Sequence, residues 1–387
     1  MARTADGSAT GSFLSGGTDS STVAGMLGTV TGQPARTYSI GFDAAGYDEM
    51  AYARIAAKHF GTVHHEYYVT PDDLVDSIGT VVREFDQPFG NSSALPAYCC
   101  ARMARADGVR KLLAGDGGDE LFGGNSRYAK QRVFEFYRLL PQSVRRSAIE
   151  RAVDGMPRLA KLPLLRKGAS YIEQARVPMP DRMQMYNLLR RLGVANVLAP
   201  AFAATIDAED PLRQQREVYG ASGHASLINR MLAYDWKYTL ADNDLPKVVG
   251  ATNATGIVAA FPLLDERLVD FSLKLAPHLK LKRLKLRYFF KEALRGFLPD
   301  AIIAKKKHGF GLPFGHWVVA HPRLREFALA SLGSFKTRGY VQPAFIDELV
   351  DRSLPAHPGY YGELVWILMM LEQWLQRPPP NLSTPAE

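Results

Sequence analysis

Two glycine-rich loops in this chain of 387 residues contain residue types that suit phosphate and metal binding. In the first, Ser15, Gly16 and Gly17 follow a short apolar segment, and Asp19 and Ser20 then begin a helical pattern. Glycines let the backbone approach a ligand closely, and the free N–H groups at a helix N-terminus favour a phosphate. The loop lacks the Gly-Lys-Ser/Thr ending of a Walker A loop. The glycines and the helical pattern after them predict a strand, a phosphate-binding turn and a helix. The alternative is an ordinary glycine–serine turn.

The second loop, residues 114–124, is both acidic and rich in glycine. Asp116, Asp119 and Glu120 lie within five residues of one another. Clustered carboxylates repel one another unless a cation lies between them. The spacing of an EF-hand calcium loop is absent. We therefore predict a cation-binding loop, and the alternative is a glycine-rich acidic turn.

The elements around these loops alternate between strand and helix patterns. Apolar and β-branched runs predict strands, although the first of them is weak; the strands are 8–12, 36–42, 64–69 and 111–114. Helical patterns lie between them; the predicted helices are one beginning at Asp19, then 48–60, 71–85 and 94–106. This order predicts an α/β fold with an open, mostly parallel sheet. Ligands bind such sheets at the carboxyl ends of the strands, so both loops are expected at one crevice.

The second half of the sequence predicts a different organisation. From residue 127 onward the pattern is helical, with no clear strands, and 377–387 is a proline-rich tail that we expect to be disordered. We therefore predict an α/β core at about 8–128 and a helical extension at about 129–376.

Composition narrows the class of protein. Hydrophobic residues make up 47% and charged residues 22%, as in globular enzymes, and the formal net charge is +8. Part of the positive charge lies in 280–291, which is interpreted either as an anion-binding segment or as a solvated basic helix face. Cys99 and Cys100 are the two cysteines, and we expect them to be reduced core residues of a cytoplasmic protein. We expect no membrane or nucleic-acid partner.

Several motifs in order carry a family resemblance. They are SGGTDSS, YSIGF, DQPFGNSSALPAY, GDGGDELFGG, AFPLLDERLVDF and LPDAIIAKKKHGFGLPFGHW. Together they resemble the synthetase domain of glutamine-dependent asparagine synthetases and cover most of 12–320. The resemblance implies one synthetase domain over 8–376 with an ATP pyrophosphatase (adenine nucleotide alpha hydrolase-like) sheet and a helical C-terminal extension.

The resemblance also implies roles for particular residues. Those expected to bind the nucleotide are Leu14, Ser15, Gly16, Gly17, Asp19, Ser20, Ser39, Ile40, Gly41 and Gly115. Asp19 and Asp119 are the expected Mg²⁺ ligands, and Asp116 is expected beside the α-phosphate and the acyl group. The implied reaction is attack of a substrate carboxylate on the α-phosphorus of ATP with loss of pyrophosphate. Ammonia or an amine, taken up from solution or supplied by a separate glutaminase, then displaces AMP.

The chain departs from the family pattern in three places. The family carries a glutaminase domain with an N-terminal cysteine, and this chain has no cysteine before Cys99, so we expect no glutamine hydrolysis by that route. The family's acidic and arginine residues before Pro262 are replaced by uncharged ones within 249–260. Arg287 stands where the family has its catalytic lysine, with Lys285 and Lys291 on either side, so Lys285, Arg287 and Asp116 are the catalytic candidates.

These departures leave three functions open. The first is an ATP-dependent amide-forming ligase of the asparagine synthase type. The second is a degenerate or partner-dependent subunit that binds nucleotide without catalysis, and the third is an RNA-modifying ATP pyrophosphatase, which the net charge motivates. Among weaker candidates, His64 and His65 are interpreted as structural. Residues 305–310 form either a phosphate contact or a surface turn, and Tyr128 packs either on the nucleotide or in the core.

Overall fold

The main sheet of the computed structural model is parallel throughout. The model describes residues 9–44, 46–145, 150–151, 163–221, 223, 226–305 and 311–377. Its five-stranded sheet has the order β3-β2-β1-β4-β5. The strands are β1 (Thr10–Phe13), β2 (Arg36–Phe42), β3 (Val63–Val69), β4 (Lys111–Leu113) and β5 (Val258–Ala260). The predicted α/β class and parallel sheet are confirmed.

Helices connect the strands and follow them. The labelled helices are α1 (Thr18–Thr31), α2 (Met50–Phe60), α3 (Pro71–Arg83), α4 (Ala94–Ala106), α5 (Gly118–Phe122), α6 (Ser126–Arg138) and α7 (Gln142–Val144). Later α-helices are Pro163–Arg176, Leu188–Leu192, Val194–Val197, Pro200–Ala203, Asp210–Ala221, Leu227–Asp235, Leu245–Asn253, Glu266–Lys274, Pro277–Lys280, Tyr288–Ala293, Asp300–Ala304, Phe314–Ala320, Pro322–Lys336, Pro343–Glu348, Leu354–Ala356 and Pro358–Leu375. Two segments are π-helical, Trp236–Asp244 and Leu349–Ser353, and two are 3₁₀-helical, Asp181–Gln184 and Pro262–Leu264.

Local sequence signals explain where several helices begin and end. Helix α3 begins with a capping box, in which the Thr70 side chain accepts from the Asp73 N–H and Asp73 bonds back to Thr70. Helix α2 ends at Gly61, whose φ of 61° is the left-handed conformation that glycine adopts without strain. Glycine at this position therefore ends α2 without strain.

The prediction that no strand follows residue 127 is wrong. Strand β5 pairs in parallel with β4, with Lys111 opposite Val258. It has only three residues, too few for a periodic pattern to be recognised in the sequence. A second sheet is an antiparallel hairpin of β6 (Leu281–Lys282) and β7 (Lys285–Leu286).

The interpretation of 280–291 as a solvated basic helix face is also wrong. This segment contains the β6–β7 hairpin and the helix Tyr288–Ala293. Lys280 is 4% exposed and Arg287 is 6% exposed, so two of its charges are buried. A run of lysines and arginines does not reveal which of its members face the interior.

The two faces of the sheet are covered by different helices. Leu112 and Leu113 are neighbours on β4 and point to opposite faces. Leu112 belongs to a core with Cys100 and Ala104 of α4, whereas Leu113 belongs to one with residues of α1 and α2. A further core joins α3 to the C-terminal helix Pro358–Leu375. The later helices are thus packed on the α/β part.

Two further features are the state of the cysteines and the length of the apolar helices. Cys99 and Cys100 are buried free cysteines, as expected for reduced core residues. Within the described ranges, no helix is both long and apolar enough to cross a membrane.

Candidate active site

Both glycine-rich loops lie at the carboxyl ends of adjacent strands. Strands β1 and β4 pair in parallel, so the segments that follow them leave the sheet side by side. Both loops line one cavity of about 1320 Å³. They are packed so closely that a Cβ added at Gly115 would lie 2.8 Å from the Ser20 amide nitrogen. Glycine at position 115 is therefore required for the two loops to meet.

The first loop is held by its own serines. The Ser15 amide donates to the Ser20 hydroxyl over 3.2 Å, and the two hydroxyl groups are 3.0 Å apart. Helix α1 begins directly after Gly17, which supplies no side-chain cap. The amide groups of the first turn of α1 thus remain free to bind an anion at the cavity.

Most of the residues expected to bind the nucleotide line this cavity. They are Leu14, Ser15, Gly17, Asp19, Ser20, Ser39, Ile40 and Gly115. Gly16 and Gly41 do not line it. A Cβ on Gly16 (φ 68°) would lie 2.3 Å from the Tyr52 carbonyl carbon, and one on Gly41 would lie 2.7 Å from the Tyr68 ring. At both positions a side chain would collide with a neighbouring tyrosine, so glycine allows close packing there.

The two expected metal ligands converge on one arginine. The Arg287 guanidinium donates to both oxygens of Asp19, with Nη1–Oδ1 at 2.6 Å and Nη2–Oδ2 at 2.7 Å. Its Nη2 also donates to Oδ1 of Asp119. A guanidinium fork suits such bidentate contacts. Arg287 thus joins the first loop to the acidic loop.

The backbone around this contact is tightly constrained. Arg287 has φ 52°, which is uncommon for a residue with a side chain, and its N–H donates to the Gly123 carbonyl over 3.1 Å. A Cβ on Gly118 would lie 2.3 Å from the Asp19 carboxylate. The glycines of the acidic loop therefore make room for the carboxylates.

The arrangement of Asp19 and Asp119 fits a metal that is shared with a nucleotide. Both carboxylates reach one cation position, and Mg²⁺ is typically bound by one or two carboxylates together with substrate phosphates. Among the described residues, no group of three or more histidine, cysteine, aspartate or glutamate side chains is arranged to hold a metal alone. Burial raises the pKa of Asp19, and the Arg287 charge opposes that rise.

Further cations surround the first loop. Lys291 Nζ donates to the Ile303 carbonyl over 2.6 Å, and burial lowers its pKa. Lys305 Nζ is 3.2 Å from Glu49 Oε2 and 3.5 Å from the carbonyl oxygen of Gly16. Lys285 lines the same cavity from β7. The rest of the 305–310 segment, residues 306–310, lies outside the described residues.

Sequence reasoning missed a lysine that lines the same cavity. Lys247 Nζ lies 2.9 Å from Asp244 Oδ1 and 3.6 Å from Asp116 Oδ1. These two carboxylates raise the pKa of Lys247 against the opposing effect of its burial. Burial raises the pKa of Asp116. The only signal in the sequence was an aspartate followed by a lysine at i+3, a spacing that surface helices also show.

Two weaker candidates lie away from the cavity. Tyr128 is fully buried and donates to Asp235 over 2.5 Å, so it is a core residue. His64 lies on β3 with Nδ1 2.9 Å from the Thr37 hydroxyl. Neither lines the cavity.

Together the fold and the site define a synthetase domain of the ATP pyrophosphatase type. The parallel sheet, the glycine-rich loop after β1 and the acidic loop after β4 are its distinguishing features. The chain belongs to the asparagine synthase family, whose model, described as "Asparagine synthase", matches residues 2–376.

Curated relatives agree with this assignment. The chain is 25% identical over 365 residues to asparagine synthetase [glutamine-hydrolyzing] 1 of Bacillus subtilis (strain 168), covering 94% of this chain and 55% of the relative. It is 27% identical over 368 residues to a putative asparagine synthetase of Mycobacterium tuberculosis (strain ATCC 25618 / H37Rv), covering 94% and 54%. A putative asparagine synthetase of Methanocaldococcus jannaschii is 42% identical over 136 residues, which is 35% of this chain and 26% of the relative. The chain thus spans about half the length of the first two relatives.

Proposed function

We propose that this chain is an ATP-dependent amide-forming ligase. It activates a substrate carboxylate as an acyl-adenylate, releases pyrophosphate and transfers the acyl group to ammonia or an amine. The observation that carries the proposal is the convergence of Asp19 and Asp119 at the free N-terminus of α1. Two carboxylates beside a phosphate-binding turn suit a magnesium–pyrophosphate unit.

The first step uses residues of the two loops and the cations beside them. The amides of the first loop and the cations Lys291 and Lys305 bind the β- and γ-phosphates, which leave as pyrophosphate when the substrate carboxylate attacks the α-phosphorus. Asp19 and Asp119 would hold Mg²⁺, which neutralises phosphate charge as it develops. Arg287 must leave its present position between the carboxylates when the metal binds. Its charge then becomes available to the phosphates.

The second step makes the amide bond. The neutral nitrogen attacks the acyl carbon, the bond between that carbon and the phosphate oxygen breaks, and AMP leaves with the electron pair. The nitrogen then loses a proton. Asp116, which lines the cavity, is expected to lie beside the acyl group. Catalysis of this kind depends on positioning and on charge neutralisation.

Strand β5 carries no charged side chain that could bind the substrate acid. Val258 and Ala260 stand where the family has acidic and arginine side chains, so β5 offers no cation for a second carboxylate of the substrate. ATP–pyrophosphate exchange with a panel of carboxylic acids, aspartate included, tests the proposal. Exchange with one acid would support the proposal, and the absence of exchange with every acid would contradict it.

A nucleotide-binding subunit without catalysis is the second candidate. It is favoured by Arg287, which replaces the family's lysine and already neutralises both acidic groups. Binding of ATP without exchange under any of these conditions would support this candidate.

A further inference from the structure

Arg287 lies between the two carboxylates that are expected to bind the metal. Its guanidinium donates to both oxygens of Asp19 and to Oδ1 of Asp119. The side chain is 7% exposed, and it lines the cavity together with both aspartates. A lysine would present a single ammonium group, whereas the planar fork of arginine contacts two carboxylates at once. Arg287 therefore fills the position that a metal ion shared by these carboxylates would need.

The acidic loop is shaped to receive this guanidinium. The Arg287 N–H donates to the Gly123 carbonyl over 3.1 Å. A Cβ on Gly124 would collide with Arg287 Nε and with the carboxylate of Asp119. Glycine at position 124 thus makes room for the arginine and its partner together. The contact is therefore part of the packing of this loop.

A metal ion that enters alone has to displace the guanidinium from the carboxylates. A buried charge that loses its partner is costly, because the interior does not replace the water that the charge gave up on folding. Mg²⁺ is itself a cation, so it provides no acceptor for the displaced arginine. Binding of the free metal ion should therefore be weak as long as Arg287 is present.

A polyphosphate changes this balance because its oxygens accept hydrogen bonds. Asp19 lies in the first turn of α1, whose amide groups suit an anion. A phosphate bound by those amides would lie beside Asp19, and therefore beside the guanidinium that Asp19 contacts. An arginine fork pairs with phosphate as well as with carboxylate. The nucleotide can thus replace the carboxylates as the partner of Arg287 and leave Asp19 and Asp119 to the metal.

We propose that Arg287 is an internal counterion that keeps the metal position closed until a polyphosphate binds. The metal site is then formed only together with the nucleotide, and free Mg²⁺ is excluded. The assignment of Asp19 and Asp119 as metal ligands rests on the proposed function. The exclusion of free metal does not depend on whether the chain activates an acid.

Binding of Mn²⁺ to the full chain without nucleotide, followed by electron paramagnetic resonance of the free ion, tests the proposal. Mn²⁺ takes the same kinds of oxygen ligand as Mg²⁺. We expect Arg287→Met and Arg287→Gln to bind Mn²⁺ at least about 10-fold more tightly than the wild type, because both carboxylates lose a competing cation. Adding Asp119→Asn to either variant should remove this gain.

Arg283→Met is the matched control. Arg283 is exposed in the turn of the same hairpin, has a φ of 57° and is not among the described residues that line the cavity. This variant should bind Mn²⁺ like the wild type. Equal affinity of the wild type and of folded Arg287→Gln and Arg287→Met, as judged by circular dichroism, would overturn the proposal.

The wild type alone provides a second test, which holds whether or not the variants fold. α,β-Methylene-ATP, which cannot release pyrophosphate, should tighten Mn²⁺ binding to the wild type at least about 10-fold after correction for chelation by the nucleotide in solution. Binding of Mn²⁺ that is as tight without the nucleotide as with it would overturn the proposal.

Pyrophosphate exchange measured on the same samples separates this inference from the proposed function. Exchange by the wild type, with no gain of metal affinity in the Arg287 variants, would overturn the counterion role and leave the ligase standing. A gain of metal affinity without exchange under any condition would overturn the ligase and leave the counterion role standing.

Discussion

Replacing Arg287 by methionine should destabilise the protein without its nucleotide. The guanidinium is the cation shared by Asp19 and Asp119, and the three side chains are 7%, 20% and 13% exposed, respectively. Removing one partner of a buried charged group costs about 3–5 kcal/mol. Because both carboxylates keep some contact with solvent, we expect the lower end, about 3 kcal/mol.

The pH dependence follows from the direction of the pKa shift. Burial already holds the pKa of Asp19 above its ordinary value, and without Arg287 it should rise further. A carboxyl group whose pKa is higher in the folded state than in the unfolded state binds more protons when folded, so its ionisation destabilises the fold as pH rises. The deficit of Arg287→Met should therefore be largest near neutral pH and should shrink as pH falls towards the unfolded pKa of about 4.

Urea unfolding of the wild type, Arg287→Met and Arg287→Lys measures both effects. The lysine variant retains a charge at the same left-handed backbone position and serves as the matched control. Millimolar Mg²⁺ should restore part of the loss in Arg287→Met, by about 1.4 kcal/mol at ten times its dissociation constant, because the two carboxylates are then free to bind it. A methionine variant as stable as the wild type at pH 7, and unaffected by Mg²⁺, would refute this account of the site.

Four further predictions test other parts of the structure. Asp119→Asn should lower pyrophosphate exchange at least about 100-fold through loss of a metal ligand, while Asp347→Asn, in an exposed pair with Lys336, should not; equal rates would remove Asp119 from the metal site. Gly118→Ala should impair exchange because its Cβ would lie 2.3 Å from Asp19 Oδ1, whereas Gly333→Ala, with no atom within 4 Å, should be neutral. Lys305→Met should raise the KM for ATP by about 10-fold, since it removes a charge paired with Glu49 beside the first loop; an unchanged KM would place Lys305 outside the phosphate site. Cys99 and Cys100 should resist a thiol reagent until the protein unfolds, because both are buried and burial raises the pKa of Cys99 to about 12; rapid labelling of the native protein would contradict this.

Much of the α/β part was predictable because its signals are local. Strands β2 and β3 and helices α1 to α4 have lengths and apolar patterns that identify them one at a time, whereas β1 and β4 are short. Gly61 and the Thr70–Asp73 pair mark helix ends through backbone conformation and hydrogen bonds within a few residues. Both loops follow strands, and parallel strands bring their carboxyl ends to one edge.

The later part was less predictable because its structure depends on distant partners. Strand β5 exists because its backbone pairs with β4, about 150 residues earlier in the chain. Likewise, Lys247 reaches Asp116 only because the helix that carries it packs beside the acidic loop. Nothing in the local pattern of 244–260 distinguishes these residues from those of a surface helix.

By itself, the sequence determined the class of fold, the two loops and the family, since each depends on motifs contiguous in the chain. The tertiary structure decided which charges meet. It placed Arg287 between Asp19 and Asp119 and packed Gly16 and Gly41 against Tyr52 and Tyr68. The physical reason is that an ion pair or an unpaired charge depends on distances across the fold, and these are set by packing rather than by spacing along the chain.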